Sequence, residues 1–498
     1  MPFIVIGLTG FLFRAYFAAE PLWIDELHSA WVVDAQFSDV PQRAAAGNQT
    51  PFYFLVLYAV CQVAGLTVES LRSLSMAASC VSILAGGYFV WRWTNRAAAA
   101  ALAAIFLAGD YWMIFYGAEA RCYGLLQLLC IAQTHYLAAA LDFRPAGSDS
   151  DSNPASGPVI WPLATTTALL VATHLTGIWL IASQLLFVIA YRPKQLKQIL
   201  LSLAIGLLAL VFCVPVLSQV LTNRSDWELV VDPLKLVTDL LPTLVPCMIA
   251  PLLMLANKKI FLDLQEPHKN HSLLWFVGCS AAGPVLIAGS LTIAGVLPLA
   301  SVRYVAAGLV LMPLFAGIGW SMLESYGEKF ALLFMVVAAV WMHPLLQPIA
   351  NNQPVNLRSE NWQSVAERVS TNTIGRKPLI FLFANLVEDH RLLENRDEEQ
   401  FQKYLQFPLT GIYRLPPDAT IIPMPTLATN RWRQEHLELL LQNGGAQIVA
   451  RTNPTTLRAI LDELQQLPLD PKLSWDIQTE TQAGNLVQIV NVRLQENQ

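Results

Sequence analysis

A few charged and polar residues interrupt a sequence that is otherwise strongly apolar. Asp25 and Glu26 lie in Leu22-Trp23-Ile24-Asp25-Glu26, just after the first apolar run. Adjacent carboxylates at a hydrocarbon edge are costly unless they are solvated, paired or metal-bound. They read either as an interfacial flank, with Trp23 as a headgroup anchor, or as a general base that activates an acceptor hydroxyl. Glu119 and Arg121 lie in Tyr116-Gly117-Ala118-Glu119-Ala120-Arg121-Cys122-Tyr123-Gly124, between two apolar helices. They read as an ion pair in a tight turn, or as a second acid and a phosphate-binding cation with Tyr123 beside them. His174, in Thr173-His174-Leu175-Thr176-Gly177, is either a structural hydrogen-bonder or a substrate contact. Arg303 and Tyr304 open a late apolar run. An arginine there either snorkels to the interface or binds a lipid phosphate, whose geometry guanidinium matches in a bidentate manner. Asp110 precedes Glu119 by about 14 Å of helix and reads as an intramembrane acid or a frayed helix end. Arg14 and Arg72 read as stabilisers of a helix bundle or as headgroup contacts.

These residues need a scaffold, and composition indicates which kind. The chain has 498 residues, 54% hydrophobic and 13% charged; the charged share is about half that of soluble proteins. That excludes an ordinary soluble enzyme and a disordered chain. Of the charged residues, 31 lie between Ala350 and Gln498 and 36 in the first 349 positions. The chain therefore divides into an apolar part, 1–349, and a soluble tail, 350–498, long enough for one small domain. A net charge of −5 without a basic run argues against nucleic acid as a partner. The seven cysteines show no CxxC or Cys/His metal spacing. Most lie in apolar stretches, where Cys packs as a small hydrophobe, so disulfides are not expected. No internal repeat is evident, and Gly147–Gly157 reads as a flexible linker on the cytoplasmic side.

A membrane helix needs about 20 apolar residues. Runs near 3–19, 75–91, 97–116, 124–141, 159–174, 177–191, 199–220, 239–257, 272–293, 304–322 and 330–349 give eleven spans. The first begins without a basic region and reads as a retained span rather than a cleaved signal. One more apolar stretch, Pro51–Gly65, has only 15 residues. If it does not span, one membrane side collects ten of the 17 basic residues before position 350: Arg92, Arg96, Arg144, Arg192, Lys194, Lys197, Lys258, Lys259, Lys269 and Lys329. The other side receives six scattered ones. The positive-inside rule then makes the N-terminus cytoplasmic and the tail external, with Pro51–Gly65 a juxtamembrane helix on the outer face. The loop Glu20–Ser75, the turns at Glu119–Tyr123 and His174–Gly177, and the start of the tenth span all reach that face. The tail reads as a small α/β unit. Helices are predicted near Asn361–Ser370, Arg431–Leu441 and Thr455–Leu467, and strands near Pro378–Ala384, Ile448–Ala450 and Leu486–Leu494.

The ordered motifs resemble the glycosyltransferase C superfamily, in particular its bacterial protein-mannosyltransferase and aminoarabinose-transferase branch. The resemblance covers about residues 1–350. It rests on Arg14, Leu22–Glu26 with Ser29, Thr50-Pro51-Phe52-Tyr53, Leu71-Arg72-Ser73-Leu74-Ser75, Glu119-Ala120-Arg121-Cys122-Tyr123, His174-Leu175-Thr176-Gly177 and Arg303-Tyr304. Relatives commonly carry another residue where Cys122 stands, and Asp where Glu119 stands. The resemblance implies an α-helical polytopic membrane enzyme of the bacterial inner membrane, bearing an external α/β domain. It implies sugar transfer with inversion from a polyprenyl-phosphate donor to a lipid, glycan or protein acceptor. Asp25 is then the catalytic base, and the lipid-phosphate leaving group needs cations such as Arg121 and Arg303. Some relatives hold a divalent cation, Mg or Mn, at acids matching Asp25 and Glu119, and others do not. Three other readings compete: a flippase for lipid-linked saccharides, a polysaccharide ligase or polymerase, and a receptor tail on a membrane anchor. The first would place polar residues along helix middles and open a path to both sides, whereas mid-span charges are few and the acids cluster on one face; the second calls for a large late outer loop, whereas Leu221–Thr238 is modest. Eleven spans exceed what an anchor needs.

Overall fold

The computed structural model describes residues 2–143, 160–222, 233–256, 269–297, 299–323, 332–333, 335–340, 343, 351, 358–371, 374–375, 377–386, 399–424, 430–465, 473–480 and 485–496. The linker 147–157, much of the loop 221–238 and much of the eleventh expected span lie outside the described residues. The chain forms two compact units: Met1–Ala19, Phe37–Val63 and Glu69–Val355 make the first, and Glu20–Gln36, Ala64–Val68 and Asn356–Gln498 the second.

The helices up to residue 321 are α1 (Pro2–Phe17), α2 (Ile24–Val33), α3 (Val40–Ala46), α4 (Pro51–Ala64), α5 (Val68–Thr94), α6 (Ala97–Gly109), α7 (Tyr111–Gly117) and α8 (Tyr123–Ala140). They continue as α9 (Ile160–Thr173), α10 (Gly177–Tyr191), α11 (Leu196–Leu207), α12 (Val214–Thr222), α13 (Pro233–Ala256), α14 (Lys269–Ile293), α15 (Val302–Leu309) and α16 (Met312–Ser321). Five helical stretches among the described residues are long and apolar enough to cross a membrane: Val68–Thr94, Pro193–Ser218, Leu234–Leu253, His271–Ile293 and Val302–Ser321. The bent pair α6–α7 makes a sixth. Helices α1, α9 and α10, of 16, 14 and 15 residues, are about 21–24 Å long, below the ~30 Å of a hydrocarbon core. Length and composition thus support five or six crossings; the expected eleven need α1, α8, α9 and α10 as well as the stretch 330–349, much of which lies outside the described residues.

The expected continuous span 97–116 is broken: α6 and α7 meet at 58° around Asp110. Opposite charges stabilise the break. Arg14, fully buried in α1, donates to the Leu107 and Ala108 carbonyls at 3.1 and 3.4 Å and to the Met113 carbonyl at 3.4 Å. It thereby satisfies carbonyls that the end of α6 leaves without helical partners, and puts a cation at the negative end of that helix. Asp110 caps α7, accepting the Met113 N–H at 2.9 Å and the Thr243 hydroxyl at 2.5 Å. An acid there faces the positive helix end. Ser79 locks the arrangement, accepting from Arg14 at 2.7 Å and donating to Gln127 at 2.6 Å. Gly117 ends α7 where a Cβ would overlap Ser79. Arg72, 1% exposed, donates to the Ala18 carbonyl just past α1 at 2.6 Å. Both arginines therefore act as bundle stabilisers.

In the second unit, strands β1 (Leu379–Phe383), β2 (Thr420–Pro423), β3 (Gly445–Arg451), β4 (Leu473–Glu480) and β5 (Val487–Glu496) form one sheet in the order β2-β1-β3-β5-β4. β1 pairs in parallel with β2 and β3, while β5 runs antiparallel to β3 and β4. Helices α17 (Trp362–Thr371), α18 (Glu399–Thr410), α19 (Asn430–Asn443) and α20 (Pro454–Gln465) accompany it. Phe381, Ile448, Leu457 and Val490 lie in its core. The sequence-predicted helices and strands of the tail fall on α17, α19, α20, β1, β3 and β5; α18, β2 and β4 are additional.

Candidate active site

In the first unit, motifs far apart in sequence converge on two turns. Ala118–Cys122 joins α7 to α8. Ser75 of α5 donates its hydroxyl to the Arg121 carbonyl, and the Tyr53 hydroxyl of α4 lies 3.0 Å from Ser75 Oγ. Gly124 lets the first turn of α8 lie flush on Ser75, because a Cβ there would overlap the Ser75 carbonyl. Thr50 donates to the Thr173 carbonyl at 2.6 Å and so anchors the second turn, which bears His174. The Tyr123 ring bridges the turns, with centroids 5.5 Å from His174 and 4.6 Å from Tyr116. Glu119 is fully buried and Arg121 is 4% exposed. The Arg303 guanidinium sits 5.1 Å from the Tyr304 ring centroid, a cation–π contact that orients it.

The electrostatics tie these groups together. Burial, followed by the positive charges of Arg121 and Arg303, pulls the His174 pKa down to about 3. The imidazole is therefore neutral at physiological pH, with Nδ1 2.7 Å from the Thr176 hydroxyl. Positive charge in the cluster comes from the two arginines, and His174 offers only hydrogen bonds. Burial also pushes the Cys122 thiol up to about 12 despite the opposing pull of Arg121. It stays protonated at physiological pH. Two guanidinium groups with a buried acid and tyrosines form an arrangement suited to a phosphate.

Asp25 and Glu26 belong to the second unit, on α2. Nine of the ten residues of α2 are buried, and Asp25 is the exception. Glu26 is fully buried, with its carboxylate 3.4 Å from the Trp23 N–H. It closes the first turn of α2 as a capping-box acid. The two carboxylates therefore differ in kind: Glu26 is fully buried and shapes the helix, whereas Asp25 is only partly buried. Tyr116, Ser75, Tyr53 and Thr50 also belong to the first cluster; all four lie in motifs singled out in the sequence, but none is given a role there. Tyr116 looks like any aromatic residue of an apolar run.

A divalent cation needs several oxygen ligands, usually more than one carboxylate. Among the described residues no three His, Cys, Asp or Glu side chains come together in a metal-binding group.

No protein-family model and no curated protein matches the chain. Solved structures do. Apo ArnT from Cupriavidus metallidurans aligns over 98% of this chain and 97% of its own, at 14% identity and a TM-score of 0.52. The same protein bound to undecaprenyl phosphate aligns over the same shares at 15% identity and a TM-score of 0.52. The archaeal oligosaccharyltransferase AglB from Archaeoglobus fulgidus, in complex with an inhibitory peptide and a dolichol-phosphate, aligns over 90% of this chain and 69% of its own, at 10% identity and a TM-score of 0.49. The ArnT likeness runs through both units, and at these identities it shows the fold alone: the chain has an ArnT-like fold.

Proposed function

We propose that the protein is a membrane glycosyltransferase. It transfers a sugar from a polyprenyl-phosphate donor to a hydroxyl of a lipid, glycan or protein acceptor at the outer face of the bacterial inner membrane. The observation that carries this reading is the ArnT-like fold, in which the turn bearing buried Glu119 and Arg121 meets the turn bearing His174 through the Tyr123 ring. ArnT itself has been captured with undecaprenyl phosphate. In the proposed reaction Asp25 takes the acceptor proton as the acceptor oxygen attacks the anomeric carbon. The bond to the lipid phosphate breaks, and Arg121 and Arg303 stabilise the charge that develops there. Attack opposite the leaving group inverts the anomeric centre. Glu119, Tyr123, His174 and Tyr304 contact or orient the substrates. The test is mass spectrometry of lipid-linked sugars and surface glycans with and without the protein. Loss of the protein should remove one sugar from a glycan or lipid and raise the matching lipid-linked sugar. Identical profiles would defeat the reading.

One observation favours a second reading, movement of the lipid-linked sugar across the bilayer. Gln127, Gln133, Thr134, Thr167 and Gln184 are buried in the helix bundle, and the Gln133 amide finds no hydrogen-bond partner among the described residues. Polar groups along helix middles suit a transport path. Purified protein in vesicles distinguishes the two, because a transferase makes product without moving donor between leaflets.

The proposed topology places the N-terminus in the cytoplasm and the tail outside. The ten-to-six asymmetry of basic residues supports it. So does the membership of Glu20–Gln36 in one compact unit with Asn356–Gln498, since segments folded together occupy one side of a membrane. An impermeant thiol reagent applied from outside should label a cysteine placed at exposed Ser370 but not one at Gln195. Labelling at Gln195 would overturn this orientation.

A further inference from the structure

The second unit joins a short segment after the first helix to residues more than 300 positions later, and polar contacts at the start of α2 make the join. The Ile24 N–H lies in the first turn of α2, where helices leave N–H groups without partners. It donates to Glu360 Oε2 at 2.9 Å. The same oxygen accepts the Trp362 indole N–H at 3.0 Å, and Glu360 Oε1 accepts from Arg451 Nε at 2.7 Å. Glu360 is 4% exposed. A buried anion held by an arginine and aimed at a helix N-terminus is favourable in both its charge and its hydrogen bonding. Two further contacts flank it. The Leu22 N–H donates to the Tyr413 hydroxyl at 2.7 Å, and Arg358 pairs with Glu20 at 2.9 Å, both side chains almost fully buried. Further along α2, Trp31 packs on Tyr404 of α18 with centroids 4.4 Å apart.

We infer that the C-terminal unit is a clamp for the catalytic loop: Glu360, fixed by Arg451 and Trp362, is a positioning residue that sets α2 and so the Asp25 carboxylate. This rests on the assignment of Asp25 as base. Glu360 sits at the backbone of Ile24, next to Asp25 in sequence, so a shift there moves the carboxylate directly. A base displaced by about 1 Å loses much of its effect. The tail then has a catalytic use that does not require it to touch substrate.

The clamp makes two separable predictions for Glu360→Ala in the full-length protein. Hydrogen exchange of the peptide covering 20–33 should rise about tenfold or more, while exchange in β3 stays as in wild type. In the transfer assay kcat should fall about 10- to 150-fold, the range for a buried charge-assisted hydrogen bond, with donor KM within about twofold. Glu360→Gln keeps an acceptor for Ile24 and Trp362 but loses the charge facing Arg451, so it should restore part of kcat. If Glu360→Ala does not fold, Tyr413→Phe removes only the partner of the Leu22 N–H and should show the same pattern more weakly. Unchanged exchange over 20–33 in both variants, or raised exchange with kcat intact, overturns the clamp. Asp25→Asn in the same assay separates the two ideas: full activity there defeats the base assignment, whereas unchanged exchange in Glu360→Ala defeats the clamp.

Discussion

Asp25→Asn should lower the transfer rate by about 10²–10⁴-fold, the range for a positioned general base, while expression and donor binding stay as in wild type. A sugar hydroxyl is a poor nucleophile at neutral pH, and the reaction needs a group to take its proton. Of the ten residues in α2 only Asp25 is not buried, so its carboxylate is the one this helix can offer to an acceptor. Asparagine keeps the size and the hydrogen bonding but has no basic oxygen. Glu26→Gln is the matched control. Glu26 is fully buried at the start of α2 with the Trp23 N–H beside it, and glutamine can still accept that hydrogen bond. Its effect on turnover should be much smaller, since residues adjacent on a helix point in different directions. Chelator added to the wild-type assay separates a base acting alone, whose rate is indifferent to it, from a carboxylate that shares a metal with Glu119. A purified Asp25→Asn protein that transfers sugar at near the wild-type rate would return Asp25 to the role of an interfacial acid.

The pattern of what the sequence revealed has a physical origin. Glu119, Arg121, His174 and Arg303 were legible because a charge inside an apolar chain is expensive and therefore conspicuous. Arg121, Arg303 and Glu119 all act electrostatically on Tyr123, whose ring lies against His174. The break at Asp110 was not legible. The residues after it, Tyr111-Trp112-Met113-Ile114-Phe115-Tyr116, are as apolar as a span, and the partners that stabilise the break, Arg14 and Thr243, are distant in sequence. The capture of α2 by the tail was hidden for the same reason, since Glu360 and Tyr413 carry no local mark of their bonds to Ile24 and Leu22. In the tail, β1 was readable as a run buried at every position. β4 was not, because it lies at the sheet edge with partly exposed residues on both faces and no clean alternation. β2 is an edge strand of four residues ending in Pro423, too short for a period to show.

Arg303→Ala should weaken donor binding by roughly 10- to 150-fold, because a charge-assisted hydrogen bond is worth about 1.5–3 kcal/mol and each 1.4 kcal/mol is tenfold. Arg303 and Arg121 are the two cations whose charges depress His174, so both add to the positive potential that a phosphate beside the imidazole would meet. The neutral imidazole cannot replace the lost charge: burial ranks first among the causes that lower its pKa, and Arg121 remains. Arg303→Lys should fall between wild type and alanine. It restores a charge, but as a single point in place of the planar fork that grips two phosphate oxygens and rests on Tyr304. Tyr304→Leu, which leaves the charge but removes the ring beneath it, should cost less than Arg303→Ala, in line with a cation–π contact of about 0.5–2 kcal/mol. Binding of a polyprenyl-phosphate sugar to the folded variants measures all three. The leaving group gains charge as its bond to the sugar breaks, so Arg303→Ala should also lower kcat, not only raise the donor KM. Unchanged donor affinity in folded Arg303→Ala protein would show that the phosphate lies elsewhere, and would leave Arg303 an interfacial arginine held by Tyr304.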